Sequence, residues 1–119
     1  MNATIIHKQH VKNSVLDELA TVLPTIIAEA LEVPGGNLAI VRPEQVALEF
    51  IQASPRDVGS DIRILIFARN NNPRTSSEND RAKMILDRVL ALFTRFDDEY
   101  SVNIRLYLME IGAAGHALA

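Results

Sequence analysis

The sequence predicts an α+β fold: two repeated β-α-β units that join into a four-stranded mixed sheet with two helices on one face. Three observations carry this. A short apolar strand pattern, a long amphipathic helix pattern and an alternating strand pattern fill residues 3–54, and the same order returns in 61–111. Each half is too small to bury its own helix, so the two must share a core. The alternating segments are apolar on one side and mixed polar and apolar on the other, as in strands that pack helices on a single face.

Residues 3–7, Ala-Thr-Ile-Ile-His, are rich in β-branched types and read as the first strand. Ser14 with Asp17 resembles a capping box, and starts a helix whose apolar stripe runs Leu16, Leu19, Ala20, Leu23, Ile26, Ile27, Ala30 and Leu31. Pro24 sits inside that stripe and removes one backbone donor, so a kink or two abutting helices is expected. Val33-Pro34-Gly35-Gly36 stops the helix. Residues 37–45 read as a short extra strand or a wrapped loop. Residues 46–53 alternate, with Val46, Leu48 and Phe50 on one side and Ala47, Glu49 and Ile51 on the other.

Ser54 to Ser60 is a turn-rich connection. In the third strand, Asp61 to Arg69, Ile62, Ile64 and Ile66 share one face while Arg63, Leu65 and Phe67 share the other. Asn70 to Arg74 reads as a loop, and Thr75 or Ser76 caps the second helix. Its stripe is Ala82, Ile85, Val89, Leu92, Phe93 and Phe96, and its charged residues read as a solvated face. Asp97-Asp98-Glu99 closes it. In the last strand, Val102 to Ile111, Val102, Ile104, Leu106 and Leu108 face the helices, opposite Asn103, Arg105, Tyr107 and Met109. A tail of small residues follows from Gly112.

Composition narrows the function classes. The 119 residues read as a single domain, residues 1–119, with 48% hydrophobic and 23% charged residues, ordinary values for a globular protein. A net charge of −3 and 5% aromatics argue against nucleic acid as a partner. No run of about 18 apolar residues occurs, so no membrane span is expected. Without cysteine there is no disulfide, thiolate nucleophile or cysteine-bound metal. With no signal-peptide pattern at Met1, the expected location is cytoplasmic. The three histidines, His7, His10 and His116, lack metal-ligand spacing and read as scattered surface residues, so neither metal nor cofactor is expected. The basic residues are nine Arg against three Lys, a balance that suits fixed contacts with carboxylates or phosphates.

The sheet face turned away from the helices would carry Glu49, Ile51, Arg63, Leu65, Phe67, Arg105, Tyr107 and Met109. That mixture is too apolar for plain solvent and too charged for a monomer core. A homo-oligomer with the sheets turned inward follows, and Glu49 is expected to pair with Arg63 or Arg105 across strands.

The repeated strand–helix–strand order resembles the tautomerase superfamily, with its macrophage migration inhibitory factor and oxalocrotonate tautomerase families. The residues that carry the likeness are Leu31-Glu32-Val33-Pro34, Val46 to Gly59 with its Pro…Gly turn, Leu65-Ile-Phe-Ala-Arg69 and Asn103-Ile-Arg-Leu-Tyr107. The likeness covers nearly the whole chain and is one of pattern and order. It implies a homotrimer whose sites lie between subunits. It also implies a base at the amino terminus, a proline whose secondary amine takes a proton from carbon beside a carbonyl. Here residue 2 is Asn and the first proline is Pro24. An Asn at that position also disfavours Met removal, so Met1 is expected to stay.

The resemblance further implies arginines that bind the substrate carboxylate, and Arg69 and Arg105 stand where these would be. The expected site is therefore Met1, Asn2, Arg69, Arg105 and Tyr107, holding a small carboxylate, with the catalytic group unassigned. Three readings stay open: a trimer that binds a small anion without the proline chemistry, an isomerase of small keto or enol acids with a substitute base, and a non-enzymatic oligomeric scaffold. A monomeric or dimeric ferredoxin-like domain has a similar element order but different strand pairing.

Overall fold

A computed structural model gives the arrangement of the chain and describes residues 1–32, 42–70, 77–96 and 99–118. Four strands, β1 (Asn2–His7), β2 (Ala47–Gln52), β3 (Ile62–Arg69) and β4 (Val102–Met109), alternate with two helices, α1 (Asn13–Leu31) and α2 (Glu78–Phe93). The sheet order is β2-β1-β3-β4. β1 runs parallel to β2 and antiparallel to β3, and β3 runs parallel to β4. The two β-α-β units thus meet back to back along β1 and β3, giving the mixed sheet expected from the repeat.

One face of the sheet packs the helices. Ile5, Ile62, Ile64 and Ile66 meet Leu19, Leu23, Ile27, Ile85 and Val89, and all of them are fully buried. Leu48, Phe50, Ile104, Leu106 and Leu108 flank this core from the two outer strands. At about 1.5–3 kcal/mol for each large side chain removed from water, this single layer dominates the stability.

The helix boundaries depart from expectation in instructive ways. α1 begins at Asn13, with Lys12 at the N-cap and no side-chain cap, so Ser14 lies inside the first turn. Val11 and Val15, four residues apart and both buried, set this earlier start. The stripe shifts with it: Val15 is buried and Ala20 is exposed. The helix runs unbroken through Pro24 rather than dividing there. Leu23, Ile26, Ile27, Ala30 and Leu31 are buried along this stretch, and tertiary packing outweighs the missing hydrogen bond.

α2 starts at Glu78 with Ser77 at its N-cap, so the expected caps Thr75 and Ser76 lie outside the described residues, as do 71–74 and 97–98. Lys83 and Asp87 pair with each other in solvent, as a solvated face implies, but other charged side chains here do not stay in solvent. Arg81 donates to the carbonyls of Ala30, at 2.7 Å, and Glu32, at 3.0 Å, the open end of α1. Arg88 pairs with Glu29, and Arg95 pairs with Glu18 at 3.0 Å. Of the segment 37–45, residues 43–45 form a single 3-10 turn, and 37–41 lie outside the described residues.

Candidate functional site

The open face of the sheet is built from rows of aligned residues. Ala47, Asn2, Phe67 and Tyr107 make one row, and Glu49, Thr4, Leu65 and Arg105 make the next. Ile51, Ile6, Arg63 and Asn103 make a third. This face leaves large side chains in water: Ile51 is 42% exposed, and Tyr107 and Met109 are each 39% exposed. Phe67 and Tyr107 stack across β3 and β4 with centroids 5.0 Å apart and planes at 10°. The stack forms a flat aromatic ledge beside two arginines.

The expected site residues gather at one end of this face, but only in part. Arg69 closes β3 opposite Met109, two residues beyond Tyr107 along the ledge. Asn70 donates its N–H to the Met109 carbonyl at 3.1 Å and extends that edge. The Met1 carbonyl accepts from the Ala47 N–H at 3.0 Å, which ties the first residue to β2. Its side chain packs on the core side, so Asn2, not Met1, shows its side chain to the open face. Arg105 donates from Nε to Asn103 Oδ1 at 3.3 Å, toward the start of β4 and away from Arg69. Within one chain the two guanidinium groups therefore do not converge. What this end offers is an aromatic ledge, one arginine beyond it and one arginine behind it.

The expected pairing of Glu49 with Arg63 or Arg105 is not made within the chain. β1 and β3 stand between Glu49 and Arg105, a separation of roughly 14 Å at ordinary strand spacing. Arg63 instead donates from Nη2 to Asp57 Oδ1 at 2.6 Å. Asp57 Oδ2 accepts the Gly59 N–H at 3.1 Å, closing the turn on itself. A Cβ on Gly59 would lie 2.9 Å from Arg63 Cζ, so a larger residue there would push the end of the Arg63 side chain aside. The Arg63 Nε is buried with no hydrogen-bond partner.

The far end of the sheet holds polar pairs that alternation did not reveal. Ser101 donates its backbone N–H to Asp61 Oδ2 at 2.9 Å, and its Oγ accepts the Asp61 N–H at 2.9 Å. His10 Nε2 lies 3.2 Å from Asp61 Oδ1. The Ser101 N–H is the main cause that holds the Asp61 carboxyl below the usual carboxylate range, against the opposing effect of burial; the Ser101 hydroxyl, His10 and Lys8 add to the lowering. Tyr100 is buried, stands edge-on to Phe93 with centroids 5.7 Å apart, and accepts the Lys12 N–H at 3.2 Å. It thereby steadies the start of α1. His7 is buried on the core side rather than on the surface, because it continues the inward alternation of Ala3 and Ile5. Among the described residues, no group of three or more His, Asp or Glu is placed to hold a metal ion.

Solved structures share this arrangement. A member of the cis-3-chloroacrylic acid dehalogenase family superposes with a TM-score of 0.68 at 10% identity, covering 100% of this chain and 84% of that one. A macrophage migration inhibitory factor-like protein from Entamoeba histolytica gives 0.61 at 12% identity, covering 98% and 94%. A wild-type fused 4-OT described as an asymmetric trimer gives 0.63 at 12% identity, covering 98% and 94%. No protein-family model and no curated protein sequence matches the chain. The fold is that of the tautomerase superfamily, as the repeat suggested.

Proposed function

We propose that this chain assembles as a homotrimer through its open sheet face and binds a small carboxylate at the subunit boundary. The observation that carries the proposal is the face itself, where exposed Ile51, Tyr107 and Met109 share one surface with Arg63, Arg69 and Arg105. Two further features support it. The edge strands β2 and β4 each have one side unpaired among the described residues, an arrangement usually covered or blunted. One protein of the same fold is described as a trimer.

The ligand pocket would lie at the end of the face that carries Asn2, Tyr107 and Arg69. Met1 stands at its margin, and Arg105 is supplied from the same or a neighbouring subunit. An arginine fork suits a carboxylate, and the Phe67–Tyr107 ledge suits a flat conjugated body beside it. Residue 2 is Asn, where the resemblance implies a proline base. The reading therefore puts binding before turnover.

The second reading, an isomerase of small keto or enol acids, rests on the position of Met1. Its carbonyl is anchored to β2, so its amine is held at the head of β1 beside the end of β3. A primary amine is a group that can act as a general base. If the chain binds no carboxylate and turns none over, it is an oligomeric scaffold.

Calorimetric titration with phenylenolpyruvate tests the first reading. Wild type should bind, and Arg69→Ala should weaken binding by about 10–100-fold, the loss of one charge-assisted contact of about 1.5–3 kcal/mol, with particle mass unchanged. Equal affinity in wild type and variant would refute the assignment. Turnover of phenylenolpyruvate or 2-hydroxymuconate above the buffer rate would favour the isomerase.

A further inference from the structure

We infer that the cleft at the carboxyl ends of β1 and β2 is a second ligand site, suited to a phosphate-bearing small molecule. The argument begins with topology. β1 and β2 are parallel neighbours that end together at His7 and Gln52. Beyond that line they separate. Lys8, Gln9 and His10 lead from β1 toward α1, while residues 53–61 carry β2 across the end of β1 to reach β3. Diverging connections at the carboxyl ends of parallel neighbours leave a crevice, the place where open sheets of this kind commonly hold ligands.

The walls of the crevice are fixed by hydrogen bonds. Ala53 donates to the His7 carbonyl at 2.7 Å, Lys8 to the Asp61 carbonyl at 2.9 Å, and Asp57 to the Ser54 carbonyl at 2.9 Å. The Arg63–Asp57 pair braces the crossing segment against β3. The cleft has a volume of ≈ 320 Å³, and its lining includes Lys8, Gln9, His10, Ala53, Ser54 and Asp57. That is at the small end of ordinary ligand sites.

Lys8 is the cation of a lining that also bears the Asp57 carboxylate. The two carboxylates nearby are already engaged. Asp57 is held by Arg63 and the Gly59 N–H, and Asp61 by Ser101 and His10. Among the described residues, the Lys8 ammonium makes no ion pair within 4 Å, and its charge acts on Asp61 from farther off. Gln9 brings two amide donors. The Ser54 oxygen accepts the Arg56 N–H at 3.1 Å, which leaves its own hydrogen to give. A cation with three rotatable donors, an amide and a hydroxyl around one crevice match the spread oxygens of a phosphate better than the single plane of a carboxylate. Lys8 is the anchor in this reading, and Gln9 and Ser54 fix orientation.

The cleft is separate from the end that carries Arg69. Met1 and Lys8 lie at opposite ends of β1, roughly 20 Å apart at 3.3 Å per residue. Neither proposal depends on the other.

The test is a titration of the full, isotopically labelled chain with inorganic phosphate, followed by amide chemical shifts and repeated with equal ionic strength of chloride. Saturable shifts confined to residues 8–10 and 53–57 are expected with phosphate and not with chloride. Lys8→Gln should weaken phosphate binding at least tenfold, while Lys8→Arg, which keeps the charge, and Arg69→Ala should bind like wild type. An unchanged melting temperature in Lys8→Gln separates loss of a ligand contact from loss of fold. If that variant unfolds, Lys8→Arg binding like wild type together with weakened binding in Ser54→Ala carries the same conclusion. Shifts reproduced by chloride, shifts centred on Arg69 or Arg105, or equal affinity in wild type and Lys8→Gln would each overturn the assignment.

Discussion

Arg63 shows how a single side chain is decided by its neighbours rather than by its strand. Alternation placed it on the open face, and there it stands. Its partner is Asp57, held across a turn whose Gly59 lies close against the guanidinium. Asp57→Ala would leave this guanidinium, only 29% exposed, without its carboxylate and release the turn at Gly59. A loss of about 1–3 kcal/mol in denaturant unfolding is expected. Asp61 makes a second prediction at this scale. Its carboxyl titrates below the usual value because the folded chain donates the Ser101 N–H to the charged form. A carboxyl with a depressed folded value stabilises above its unfolded value, so its contribution is full near neutrality. It fades as pH falls below about 4, through the folded value. Asp61→Asn should therefore flatten the acid limb of the stability curve, measured by unfolding between about pH 2 and 6. An unaltered limb would mean that Asp61 is not a source of the acid sensitivity. Such pairings were not legible in the sequence. Asp57 and Arg63, or Asp61 and Ser101, are joined by turns and neighbouring strands, and periodicity reports only the face on which a residue sits.

At the scale of the elements, apolar spacing located every strand and both helices among the described residues, because each buries one regular stripe against one layer. Ile62, Ile64 and Ile66 on one face of β3 are the plainest case. The ends were less legible. Ser14 offered a good cap by composition, yet α1 starts earlier, since burying Val15 outweighs one capping bond of about 1 kcal/mol. The charged residues of α2 read as solvated, because a helix pattern does not say what lies across from it. In the fold Arg81 and Arg88 reach α1 while Lys83 and Asp87 pair with each other in solvent, and Arg81 supplies donors to carbonyls that α1 lacks a basic residue to satisfy. Arg81→Ala should lower stability by about 1–2 kcal/mol and increase amide exchange in the last turn of α1. Exchange that rises equally throughout the chain would instead mean global loosening. Pro24 gives the opposite expectation. It sits within a continuous helix and removes one backbone donor, so Pro24→Ala should stabilise by about 1–3 kcal/mol if the helix geometry is already regular there. A destabilised variant would show that the half-buried ring supplies packing that alanine cannot replace.

For the whole molecule, the repeat written into the sequence is the repeat of the fold. β1-α1-β2 and β3-α2-β4 share one core layer and leave one sheet face bare. The bare face was legible because Leu65, Phe67, Tyr107 and Met109 alternate with residues of the core. The arrangement of the site residues was not. Strand order puts Asn2 and Tyr107 in one row, but Arg105 turns to Asn103, and pattern alone gives no side-chain direction. The account of function rests on copies of the chain covering that bare face, which would bring arginines of different subunits to one boundary. Light-scattering mass at neutral pH is the direct measurement. The account predicts a particle of about 40 kDa, three chains of 13.2 kDa, that persists on dilution to low micromolar concentration. A particle with the mass of one chain across that range would contradict it.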